Sequence, residues 1–282
     1  MKIKRISIPL AVLLLLTTLG STLIFSLPAV FANPVCGATI TKNTTLTANI
    51  GPCSGNGLII GANITLDCAG HTISGAMGNT NDGIYFHSAT RVKVENCKVT
   101  GFYDGFYLED SSGNTLTKNT ANSNTHDGFD LSSFSMNTLK GNTANSNGYS
   151  GFELSSSSSN TLTGNTANSN GITSGGIGFY LEDSPSNTLT KNTANSNTNY
   201  GFWLTGSLST GNTLTKNIAN SNTFYGYLDD TSSSSAGVPH WDTANSYGTT
   251  VAALRTTGDK GTGNGSGLAY GNANLDTATS PF

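Results

Sequence analysis

Charge is scarce in this chain. Its 282 residues carry 13 Lys and Arg against 16 Asp and Glu, and no arginine lies between Val92 and Leu254. Such a surface repels phosphate backbones, which argues against nucleic acid as a partner. Apolar runs of membrane length are equally rare: there is one, Ile6 to Leu27, preceded by Lys2, Lys4 and Arg5 and followed by Val30-Phe31-Ala32. Basic start, apolar run and small residues at −3 and −1 read as a secretory signal peptide over residues 1–32. Left uncleaved, it would be a membrane anchor, the route this sequence offers to a membrane. Without the three leader bases the chain keeps ten bases against sixteen acids, a net charge of −6. The expected location is secreted, periplasmic or cell-surface. Cysteine stops early too, at Cys36, Cys53, Cys68 and Cys97, with no CxxC spacing. An even number in an exported chain favours disulfides, and Cys36–Cys53 with Cys68–Cys97 is the expected pairing of the three connectivities.

Gly, Ser, Thr and Asn fill the rest, a composition that would suit disorder were it not periodic. The eleven residues NTLTKNTANSN from Asn114 return at Asn187, with near copies at Asn137 and Asn160. A Gly-aromatic pair starts at Gly105, Gly128, Gly151, Gly178, Gly201 and Gly226, with Gly83-Ile84 as a looser forerunner; the spacings are 22, 23, 23, 27, 23 and 25 residues. Periods of this size belong to solenoids. Neither a leucine-rich pattern nor room for a helix is present. Each unit holds three short alternating segments broken by Gly, Ser and Asn, the signature of strands and turns. The expected fold is all-β: a right-handed parallel β-helix with three short strands per coil. Residues 33–82 would form the N-terminal cap and first coils, 83–236 the regular repeats, and 237–282 a degenerate last coil with a cap or tail.

Stacking at about 4.8 Å sets equivalent residues above one another. Phe106, Phe129, Phe152, Phe179 and Phe202 should line the interior beside Leu108, Leu131, Leu154, Leu181 and Leu204. Leu116, Leu139, Leu162, Leu189 and Leu214 form a third inward column, and Ala121, Ala144, Ala167, Ala194 and Ala219 a fourth. Ala121 faces inward only if the chain bends near Lys118. That bend turns Asn119, Asn142, Asn165, Asn192 and Asn217 in as an amide ladder.

The Gly-apolar-x-Leu unit followed by Asn-Thr-Leu and Asn-Thr-Ala resembles the β-helix repeats of carbohydrate-binding proteins and sugar hydrolases. The phrase GLIIGANITLDCAGHTISG, Gly57 to Gly75, is similar to the opening coils of the NosD-like family, named for a periplasmic copper-site maturation protein. The resemblance covers about residues 36–236 and implies the right-handed β-helix. It implies little about activity, because the architecture hosts many functions.

The outward position of G-F-x-L varies most: Tyr85, Tyr107, Asp130, Glu153, Tyr180 and Trp203. Aromatic faces stack on sugar rings and carboxylates accept their hydroxyl protons, so this column is the expected glycan-binding surface, although aromatics also suit exposed strands generally. Asp130 and Glu153, on adjacent coils, have the spacing of a retaining glycosidase pair, and Asp127 lies nearby. Asp82, Asp104 and Asp127 precede the repeating glycines, either as ordinary turn residues or as a calcium site. Enzyme signatures are incomplete: NTNDG and NTHDG lack polygalacturonase companions, an arginine base is missing, and no Asp-Pro-His occurs. Copper finds no soft-ligand cluster in His71, His87, His126, His240, Met77 and Met136. The threonine pairs 115/117, 161/163, 188/190 and 213/215 resemble an ice-binding array interrupted by Lys140. The reading is an exported β-helix that binds polysaccharide or serves as a surface structural module. Alternatives are a polysaccharide-active enzyme, a copper-related accessory protein and an ice-binding protein.

Overall fold

The computed structural model describes residues 32–229, apart from positions 77, 79, 134 and 174, together with the two-residue strand Ala273–Asn274. Residues 1–31, read above as a leader, and 230–282 apart from that strand lie outside the described residues.

Every coil makes three short strands, and equivalent strands pair in parallel. The first sheet has nine strands, from Ala38–Ile40 to Tyr225–Asp229; the second has eight, from Thr44–Thr45 to Thr213–Thr215. The third runs from Ile50–Cys53 to Thr120–Ala121, continues as single bridges through Thr143 and Thr166, and resumes at Thr193–Asn195 and Ile218–Asn220. Ala273–Asn274 meets that last strand antiparallel. The predicted parallel β-helix is what the chain forms.

Register follows the repeat letter for letter. Phe106, Phe129, Phe152, Phe179, Phe202 and Tyr227 form one stack with centroid separations of 4.6–4.9 Å and planes within 9° of parallel. The leucine and alanine columns are buried as expected. Why the fourth column is alanine, and why each coil repeats a glycine, have one cause. A Cβ added at Gly151 would sit 2.6 Å from Ala167 Cβ and 2.8 Å from Gly178 O. The first and third sheets pinch together there, and only the smallest pair fits.

The corners carry more than the one ladder the pattern suggests. Asn119 is buried with its column, but so are Asn114, Asn137, Asn160, Asn187 and Asn212, and so are Asn124, Asn147, Asn170, Asn197 and Asn222. The phrase NTLTKNTANSN therefore turns its first, sixth and eleventh letters inward. The residue before each has positive φ, as in Lys118 (54°), Ser123 (56°) and Gly113 (67°). This left-handed kink breaks strand alternation, and Lys118 is where the phase resets.

Each amide ties its coil to the one before it. Asn165 Oδ1 accepts the backbone N–H of Asn142 at 2.8 Å, and its Nδ2 donates to Leu139 O at 2.9 Å. The Asn142 N–H is a corner group that no strand pairs, and burying it without a partner would be costly. Toward the N-terminus the ladders end on Val92, Cys97 and Phe102, whose N–H groups still donate to Asn114, Asn119 and Asn124. Cys97 thus occupies the asparagine column, and its disulfide to Cys68 ties coil to coil covalently; the other bridge is Cys36–Cys53, so both expected pairs form.

Asn165→Ala strips the buried Asn142 N–H of its partner. It should cost about 1–3 kcal/mol in urea unfolding. Thr163→Ala, on the outer face of the same coil, should stay within about 0.5 kcal/mol.

Candidate functional site

Strand register places Tyr85, Tyr107, Asp130, Glu153, Tyr180 and Trp203 in one unbroken row along the first sheet. The expected outward column exists, but its rings are not freely exposed. Tyr85 stacks on Tyr107 with centroids 5.7 Å apart, and Tyr180 contacts Trp203 at 4.9 Å. Tyr180 keeps just 9% of its surface, covered by Trp203 and by the edge of Tyr149. Aromatics stacked at strand spacing shield one another.

Beside this row runs a second, at the corner where each coil enters the first sheet. Tyr103, His126 and Tyr149 stack face to face, 4.6 and 5.4 Å apart, two positions before successive repeat glycines. Sequence reasoning tested His126 only as a copper ligand and missed both tyrosines. Aligning the repeat one position at a time reveals all three.

The acids before the glycines form a ladder of their own. Asn56 Oδ1 accepts the N–H of Asp82, Asp104 Oδ1 that of Asp127, and Asp127 Oδ1 that of Ser150. One oxygen of each carboxylate thus performs turn chemistry, which an asparagine would do as well. The surplus oxygen is what distinguishes them. Asp104 and Asp127 are buried, and His126 Nδ1 lies 3.2 Å from Asp104 Oδ1 and 3.1 Å from Asp127 Oδ2. Among the described residues, the group whose ligand atoms lie within 4.8 Å of one another is Asp104, His126 and Asp127, without Asp82.

So many acids in so dry a place raise one another's proton affinity. Burial, then the neighbouring Asp104, pushes Asp82 up to about 7. Burial, with Asp104 and Asp127 behind it, brings Asp130 to about 8. Glu153 reaches about 9 through burial and the charge of Asp127. Asp104 is raised as well, again chiefly by burial. His126 moves up to about 11, because Asp104 and then Asp127 engage its Nδ1 and outweigh the cost of burying a cation. Tyr107 rises to about 12, through burial and then the charge of Asp130. One coil further toward the N-terminus, Glu109 accepts from Tyr85, lies 2.9 Å from His87 Nδ1, and is held below its ordinary value by those bonds. The site pairs a proton-rich acidic centre with aromatic flanks.

Groups whose folded-state affinity for protons is raised stabilise the fold while they hold the proton and lose that contribution as pH climbs through the folded value. Asp82, Asp130, Glu153 and His126 all have that sign. Urea midpoints should therefore fall steadily from pH 5 to pH 9. The slope should be shallower in Glu153→Gln.

Residues 36–264 match the model of a family described as periplasmic copper-binding protein (NosD). Among curated proteins, none matches. Three of the solved structures that match are the following. The enzymatically active domain of tailspike protein 2 from bacteriophage CBA120 aligns with TM-score 0.58 at 13% identity, over 70% of this chain and 36% of that one. A mutant of the periplasmic alginate epimerase AlgG gives 0.49 at 17% identity, covering 69% and 57%. Pectate lyase Pel9A gives 0.40 at 15% identity, covering 86% and 88%. The chain spans about a third of the tailspike domain's length and just over half of the epimerase's. Such identities bear on fold alone. Copper does not fit the residues described: the Asp104–His126–Asp127 group offers two carboxylates and no sulfur, and Met136 stands 63% exposed elsewhere. His240 and Met77 lie outside the described residues. The family match nonetheless runs from the first strand through the last regular coil, and by it this parallel β-helix belongs to the NosD family.

Proposed function

We propose that the chain is an exported β-helix that binds polysaccharide along its first sheet. The observation that carries this is the in-register row of Tyr85, Tyr107, Asp130, Glu153, Tyr180 and Trp203, with half-buried acids between two aromatic flanks. A linear polymer laid along the helix axis meets one side chain per coil, about every 4.8 Å. The aromatic side chains at both ends offer apolar contact to sugar rings, and the acids between them offer hydrogen bonds to hydroxyls. The C-terminal flank is the broader one: Tyr200 lies 5.0 Å from Trp203 and 6.0 Å from Tyr225, enlarging the platform.

Export is supported by the two disulfides, which persist in oxidising compartments, and by the periplasmic description of the family.

Binding is tested on an array of plant, bacterial and algal polysaccharides. Trp203→Ala and Tyr107→Ala should each weaken retention about tenfold, equivalent to ~1.4 kcal/mol. Replacing Tyr107, Asp130, Glu153 and Trp203 together should abolish retention without unfolding the chain. Undiminished retention by the quadruple variant would sink the proposal.

A further inference from the structure

Four buried side-chain oxygens among the described residues have no hydrogen-bond partner: Asp127 Oδ2, Ser150 Oγ, Glu153 Oε2 and Tyr227 OH. Three of them fall together on the first sheet and its entering corner. Folds that satisfy their polar groups as thoroughly as this one leave orphans where function requires them. The contrast is sharp here, because the asparagine ladders leave no such atom at any described corner.

Glu153 faces Asp127 within side-chain hydrogen-bond reach. Two carboxylate oxygens cannot bond each other without a proton between them. A single proton on Glu153 Oε2 satisfies both orphans, and Glu153 then stands as a neutral acid beside the proposed glycan path. A charge contact from His126 to Asp127, 3.1 Å long but outside hydrogen-bond geometry, reaches the same corner. On the adjacent strand Asp130 is paired in register with Glu153, and Ser132 Oγ donates to Asp130 Oδ1 at 2.8 Å. Neighbouring strands set the two outward carboxyls about 5 Å apart, the spacing that lets one act as acid and the other as nucleophile at the same anomeric carbon.

We infer that Glu153 and Asp130 are a catalytic pair that hydrolyses a glycosidic bond of the bound polysaccharide with retention of configuration. This rests on the polysaccharide-binding reading above. Glu153 gives its proton to the glycosidic oxygen; the bond from the anomeric carbon breaks with its electron pair on that oxygen. The Asp130 carboxylate bonds to the anomeric carbon. Water then attacks that carbon, Glu153 takes its proton, and Asp130 leaves as a carboxylate. One water is consumed per bond cleaved. Asp127 is a positioning residue that holds the proton of Glu153 between turnovers.

The reaction needs Glu153 protonated and Asp130 ionised. The charged and titratable groups around the pair are Asp104, Asp127 and His126 at the corner, Tyr107 beside Asp130, and Tyr149 and Tyr180 beside Glu153. Their balance leaves the two groups near 8 and 9, so the rate should peak in mildly alkaline solution.

The test incubates the full chain at pH 8.5 in ¹⁸O-water with every polysaccharide it retains on the array, with alginate, polygalacturonate and arabinoxylan as set probes. New reducing ends, each carrying one ¹⁸O and the original anomeric configuration, are expected. Glu153→Gln and Asp130→Asn should lower the rate at least about 100-fold while the urea midpoint at pH 5 persists. Retention without new reducing ends overturns catalysis and leaves binding standing. Unsaturated ends without ¹⁸O overturn hydrolysis, and cleavage by Glu153→Gln at the wild-type rate overturns the assignment. Retention of no polysaccharide overturns both readings.

Discussion

The structure depends on the amide of a buried asparagine that serves two coils at once. A three-sided solenoid with strands of two to six residues spends much of its backbone in corners, where sheet pairing cannot reach. Asn165 accepts an N–H from one coil and donates to a carbonyl two strands back, and its equivalents do so at three corners of nearly every regular coil. Apolar packing alone would leave those groups unpaired. The ladders let a chain with 35% hydrophobic residues enclose a dry core.

This division of labour explains where the sequence is constant and where it is free. Inward letters answer to the pinch between Gly151 and Ala167, to the phenylalanine stack and to the amide columns. Outward letters on the first sheet answer to none of these. Their succession of tyrosine, tyrosine, aspartate, glutamate, tyrosine and tryptophan is therefore open to selection by a ligand. The acidic corner follows the same logic at half strength. One oxygen of Asp127 does the work an asparagine would, and the other is left to face Glu153.

Much of this was legible beforehand, for physical reasons. Strand pairing at fixed spacing copies a residue's position from coil to coil, so the columns of Phe129, Leu131, Leu139 and Ala144 could be read from the period. The bend at Lys118 followed from requiring Ala121 to face inward. Two further ladders escaped, because Asn114 and Asn124 stand next to residues whose left-handed backbone no pattern of polarity announces. The site was half legible. Its row of outward residues is a strand property, whereas the meeting of His126 with Asp104 and Asp127 depends on how a corner folds. That Tyr180 is covered was hidden too, since alternation reports which way a ring points and not what lies over it.

All of these lines converge on a proton held at neutral pH by buried, stacked acids. Carbon-13 NMR of the side-chain carboxyls, with Glu153 assigned through Glu153→Gln, reads that proton directly. The account predicts a neutral Glu153 carboxyl at pH 7 that titrates in alkaline solution, in step with Asp130. A Glu153 ionised at pH 7, titrating alone near its ordinary value of 4.5, would contradict it.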